Sequence, residues 1–190
     1  MLAITQAGFA EQTVTKSRFI AMAIYCANER EVGMALRAFA AQHQNAHHLA
    51  YAFRVKTEQG LVQRFSDAGE PSGTAGMPIL KLIEGRDLIN VCVAVIRYYG
   101  GVNLGTGGLA RAYGGTAKLA LDAAKISTFV EMQTIKLTIQ YKQMDLLTRV
   151  LAKCNGSILD KVFNEQVDLV LSLPAPEVAG FLSRFTPHGE

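Results

Sequence analysis

The sequence has no apolar run long enough to cross a bilayer; stretches such as residues 88–96 fall far short of a span. Its N-terminus lacks the basic-then-apolar layout of a secretion signal, so export is not expected. Cysteine is scarce: Cys26, Cys92 and Cys154 stand singly, without the paired spacing of a zinc site or a redox motif. They read as buried thiols of a protein kept in a reducing, cytoplasmic compartment. Net charge is also small. At +3 it does not announce a nucleic-acid binder, and no metal or cofactor motif is present.

What charge there is lies unevenly. Residues 1–125 hold thirteen basic against nine acidic side chains, and residues 126–190 hold six against seven. The excess favours an anionic partner for the first part. With 49% hydrophobic and 18% charged residues, the composition is that of a folding globular chain.

Alternating apolar residues over 18–26 predict a strand, followed by a helix that Asn28 caps and that runs to about Ala41. Residues 50–56 and 61–65 alternate around a short loop and predict a hairpin. A segment with three glycines and a proline, 66–76, then forms a turn or loop, and Ser72 or Thr74 is placed to cap a helix over 77–84. The continuous apolar run 91–96 predicts a central strand buried on both faces. Glycines 100, 101, 105, 107 and 108 make a turn, after which Leu109, Ala112, Tyr113, Thr116, Ala117, Ala120 and Leu121 recur at helical spacing.

A boundary is expected near residues 126–132, separating domains of about 1–125 and 132–190. The second reads as βαββα, most of a ferredoxin-like α+β fold. The usual closing strand does not fit in residues 187–190, so this sheet is expected to end a strand short.

A glycine turn between a buried strand and a helix gathers N–H groups at the positive end of the helix dipole, which suits an anion. The same glycines also serve plain backbone needs, and both readings stand. Arg97, Arg111, Lys118, Arg54 and Arg64, with Tyr98, Tyr99 or Tyr113, form either a phosphate-binding and base-stacking surface or a solvated basic rim around core tyrosines. Asp67, Glu70 and His48 read as acid–base groups, or as turn formers with Glu70 holding an arginine.

The Ser17-Arg18-Phe19-Ile20 stretch and His48 before Ala50-Tyr51-Ala52 join three further motifs: the run from Asp67 to Gly76, Arg97-Tyr98-Tyr99-Gly100-Gly101, and Leu104-Gly105-Thr106-Gly107-Gly108-Leu109 through Arg111-Ala112-Tyr113. Together they resemble the YigZ/IMPACT family. The resemblance implies an α/β, α+β mixed-sheet first domain with the βαβ plan of one class of ribosomal proteins and translation factors. It also implies a small ferredoxin-like second domain similar to the C-terminal domain of elongation factor G. Eukaryotic relatives bind an activator of the kinase that phosphorylates initiation factor two, through an extra N-terminal domain not seen here. The family's motif positions fall on His48, Asp67, Gly69, Glu70, Pro71, Gly73, Thr74, Gly76, Arg97, Gly100, Gly101, Gly105, Arg111 and Tyr113. Tyr98 and Gly107 beside them complete the expected binding site, to which no catalytic role is assigned.

The leading expectation is a non-enzymatic regulatory or binding protein associated with translation, contacting RNA, the ribosome or a protein partner, with no cofactor and no membrane. The alternatives are an enzyme acting on a small anionic or nucleotide substrate through Asp67, Glu70 and His48, and a protein-interaction module shaped by the glycine segments.

Overall fold

The computed structural model describes residues 1–185 and divides the chain into two compact units, 1–129 and 130–190. The expectation for residues 187–190 lies outside the described residues.

In the first unit, strands β2 (Gly8–Val14), β3 (Ser17–Tyr25), β6 (Val91–Tyr98), β4 (His48–Thr57) and β5 (Gly60–Ser66) lie side by side in that order. Every ladder in this sheet is antiparallel. β3 and β4, joined by helix α1 (Glu29–Ala41), run in the same direction with β6 between them, so the βαβ unit is split by a third strand.

The sheet is covered on both faces. Helices α2 (Gly76–Gly85) and α3 (Gly105–Ala123) pack over Val91, Val93 and Val95, while α1 lies over Cys92, Ala94 and Ile96. β6 therefore buries both sets of alternating side chains, which is why its sequence is apolar without interruption. Asn28 caps α1 by accepting the Glu31 N–H, and the Glu31 carboxylate accepts the Ala27 N–H in return. α3 buries all seven residues read from its spacing, and begins a turn earlier than they do.

Two short strands close this unit. β1 (Leu2–Gln6) pairs antiparallel with β7 (Lys125–Thr128), joining its beginning to its end. In the second unit, β8 (Met132–Ile139), α4 (Met144–Lys153), β9 (Ser157–Phe163), β10 (Val167–Pro174) and α5 (Val178–Leu182) give the βαββα order. The three strands form an antiparallel sheet in the order β8, β10, β9. Val167, Leu169, Leu171 and Leu173 face a core completed by Leu147, Val150, Leu151, Phe181 and Phe185.

Candidate functional site

The loop between β5 and α2 is organised by one carboxylate. Asp67 accepts the N–H of Gly73 at 2.8 Å through Oδ2, and those of Ala75 at 3.0 Å and Gly76 at 2.8 Å through Oδ1. The last two are the N-cap residue and the first residue of α2, so a side chain nine positions before the helix caps it. The expected cap does not form: Thr74 donates its hydroxyl to the Pro71 carbonyl at 2.6 Å instead. Burial pushes the Asp67 carboxyl up, but the three N–H donors together outweigh it and hold the group below its ordinary range. Gly69 and Gly73 take φ of +84° and +75°. A Cβ on Gly76 would stand 2.6 Å from the Ser66 carbonyl oxygen.

Beneath this loop lies a buried polar cluster. Arg97, at the end of β6, is on the α2 and α3 face by its alternation with Val91, Val93 and Val95, and Glu70 comes down from the loop to meet it. The Arg97 Nη1 lies 2.7 Å from Oε1 of Glu70, each side chain only 5% exposed. The Tyr113 hydroxyl of α3 donates to the same oxygen at 2.8 Å. Burial, reinforced by that hydrogen bond to a carboxylate, pushes the phenol well above its ordinary range. His48 puts Nε2 3.8 Å from Glu70 Oε1, while its Nδ1 donates to the Ala68 carbonyl at 2.9 Å. Since a carbonyl only accepts, the Nδ1 carries the proton.

The Arg97 guanidinium reaches the second glycine segment as well. Its Nη2 donates to Ser17 Oγ at 3.3 Å, and that oxygen also accepts the Gly100 N–H at 3.2 Å. The guanidinium stands 5.1 Å and 5.6 Å from the ring centres of Tyr99 and Phe19. Gly100 passes so close to the β2–β3 turn that a Cβ would come 2.1 Å from the Lys16 carbonyl oxygen. Gly101 and Gly105 take φ of +81° and +68°, and α3 then begins with no side-chain cap on its N-terminus. Beside that N-terminus, Arg111, Thr15, Gln12, Leu104 and Gly108 line a cleft of about 320 Å³.

The structure sorts the residues singled out in the sequence. Arg97 and Tyr113 are internal, because Arg97 lies on the sheet face that α3 covers and Tyr113 is on the buried side of α3; they are not a rim open to a ligand. The other cations also have partners: Arg54 donates to the Leu88 carbonyl at 3.1 Å, Arg64 lies 3.2 Å from Glu29, and Lys118 lies 2.7 Å from Asp122. The expected row of free cations reduces to exposed Arg111, which makes no ion pair among the described residues; Lys16, not singled out in the sequence, is also exposed and follows Thr15 of the same cleft. Tyr98 is half-buried and its hydroxyl is 2.9 Å from His43 Nδ1; Tyr99 remains exposed and donates to Asn103. Gly107 sits on the exposed first turn of α3, where a Cβ would stand 3.5 Å from the Arg111 guanidinium.

Of the three acid–base candidates, His48 and Glu70 come together, while Asp67 turns onto its own loop. Ser17 was missed as a site residue: it is fully buried and ties Arg97 to Gly100. Among the described residues, no group of three or more His, Cys, Asp or Glu could hold a metal, and no helix is long and apolar enough to cross a membrane.

A split βαβ sheet that fixes two glycine loops through a buried glutamate–arginine pair coincides with a known protein family. The Impact N-terminal domain matches residues 15–121, and a domain of unknown function (DUF1949) matches residues 137–186. This chain belongs to the IMPACT family. It is similar to an IMPACT family member of Haemophilus influenzae, 35% identical over 177 residues, covering 93% of this chain and 86% of the relative. It is also similar to the IMPACT family member YigZ of Escherichia coli K12, 33% identical over 174 residues, covering 91% and 85%. A solved crystal structure described as that of a hypothetical protein superposes with a TM-score of 0.71 at 32% identity, covering 96% of this chain and 89% of that one.

Proposed function

We propose that this chain is a non-enzymatic binding protein acting near translation, and that its working surface is the outer side of the glycine-rich loops 67–76 and 99–108. The observation that carries this reading is the commitment of the charged groups beneath them. Glu70 is held by Arg97 and Tyr113, and Asp67 by three N–H groups, so neither carboxylate is free to move a proton. Such a cluster fixes two loops in place rather than performing chemistry. The groups left outward are Lys16, Tyr99, Arg111 and the uncapped first turn of α3, a set suited to phosphate and to stacking on a base. The link to translation rests on the family resemblance.

In this reading Arg97 positions the loops, and Arg111 and Lys16 make the contacts with RNA or the ribosome. Co-sedimentation of the full chain with ribosomes and with single-stranded RNA over a salt series tests it. Association should weaken steeply with salt, and each of Arg111→Ala and Lys16→Ala should lower the salt slope by about one counterion. No association at low salt would sink the RNA reading and leave a protein partner. The rival reading, an enzyme acting on a small anion, is favoured by one observation, the part-exposed His48 beside Glu70. It requires His48→Gln to abolish turnover of a phosphate ester without altering RNA association.

A further inference from the structure

β5 is the outermost strand on its side of the sheet, so one of its backbone edges has no ladder partner among the described residues. Which groups face that edge follows from the hairpin. Thr57 lies opposite Gly60 across a two-residue loop, and the pair closing such a loop is a hydrogen-bonded one. Alternation then makes Val55 with Val62 and Phe53 with Arg64 bonded pairs, and leaves Lys56 with Leu61, Arg54 with Gln63 and Ala52 with Phe65 unbonded. The Lys56 N–H agrees: it donates to Asn90 Oδ1 at 2.8 Å, away from β5. The N–H and C=O groups of Leu61, Gln63 and Phe65 therefore point outward.

The same three residues put their side chains on the α2 face, since Ala52 opposite Phe65 belongs to the core under α2 and α3. Between this edge and α2 runs a groove of about 550 Å³, with Phe65, Met77 and Leu80 as its apolar wall. Phe65 is 39% exposed. Two of the polar groups in the groove satisfy each other, because Gln63 Nε2 donates to Glu84 Oε1 at 2.8 Å. Lys81 is exposed and makes no ion pair among the described residues.

Outward N–H and C=O groups at alternate residues, beside an apolar wall and a free cation, match one kind of occupant: extended backbone. We propose that β5 and α2 form a docking groove for an extended peptide segment of a partner protein, which adds as a sixth strand. It would place an apolar side chain on the Phe65, Met77 and Leu80 wall and a carboxylate on Lys81. A second copy of this chain is a poorer fit, because β5 carries Arg64 and no acidic residue to offer Lys81. The groove is separate from the glycine loops and does not depend on what they bind.

The test uses the full chain, labelled with nitrogen-15, and an acetylated, amidated heptapeptide of alternating glutamate and valine. Saturable shifts and slowed amide exchange are expected at Leu61, Gln63 and Phe65. N-methylation of alternate peptide residues should abolish binding, because it removes the ladder donors. Lys81→Glu should weaken binding roughly fivefold or more. Gln63→Pro should abolish it, since the lost N–H faces outward and proline is tolerated on an edge strand. If that variant unfolds, Lys81→Glu and the N-methylated peptide decide the matter. The proposal is overturned by shifts elsewhere on the protein, by no saturation at millimolar peptide, by equal binding of the N-methylated peptide, or by self-association that protects the same three amides.

Discussion

Glu70 and Arg97, twenty-seven residues apart, form a 2.7 Å ion pair at which the 67–76 loop, the central strand and helix α3 meet. Removing one partner leaves the other charged in a site with almost no water. Glu70→Ala should therefore cost ~3–5 kcal/mol in urea denaturation. The double variant Glu70→Met with Arg97→Met should recover much of that loss, because no lone charge remains. A double variant no more stable than the single one would mean that the pair does more than balance charge.

Tyr113 gives an alkaline signature. Its phenol ionises at higher pH in the folded chain than in the unfolded one, so its contribution is fully present below about pH 10, the ordinary tyrosine value, and declines above it as the unfolded state loses its proton. Stability against urea should fall above that pH in the parent and less so in Tyr113→Phe. At neutral pH, Tyr113→Phe should itself cost ~1–2 kcal/mol, the loss of one hydrogen bond to a buried carboxylate.

Asp67 works in the opposite direction. Its carboxyl ionises at lower pH when folded, so its stabilisation is present above about pH 3.9, the ordinary aspartate value, and is lost as pH falls through the folded value. Asp67→Asn should destabilise the chain at pH 7, and the gap to the parent should close as acid is added. A gap that stays constant with pH would show that the charge on Asp67 does not matter.

The glycines separate by what surrounds them. Gly100→Ala drives a methyl into the Lys16 backbone and should cost roughly 1–3 kcal/mol or more, read as a fall in Tm. Gly85→Ala, with nothing within 4 Å at the end of α2, should be neutral or stabilise by up to about 1 kcal/mol.

Much of this molecule could be read from its pattern. α1 with its Asn28 cap, the β4–β5 hairpin, the buried β6 and the seven inward residues of α3 follow from local spacing and capping chemistry. β1 and β7 did not, because each is short and its partner lies more than a hundred residues away. Arg97 was legible as important but not as buried. A charged residue closing an apolar strand reads as the point where the strand surfaces; the sequence allowed Glu70 to hold an arginine, and the fold shows that the arginine is this buried one. The capping role of Asp67 escaped for a similar reason: helix caps are sought one residue before the helix, and this one acts from nine residues before it.

β1 is held from two sides: its ladder is with β7, and Leu2 also bridges Leu88, donating its N–H to the Asp87 carbonyl and accepting the Ile89 N–H. Leu2 can thus engage residues 87–89 early, but the ladder of Leu2–Gln6 is complete only when residues 125–128 are present. The matched Impact N-terminal segment, 15–121, begins and ends inside this clasp. A fragment cut to that segment would keep both glycine loops and lose the strand pair that ties the ends of the unit together.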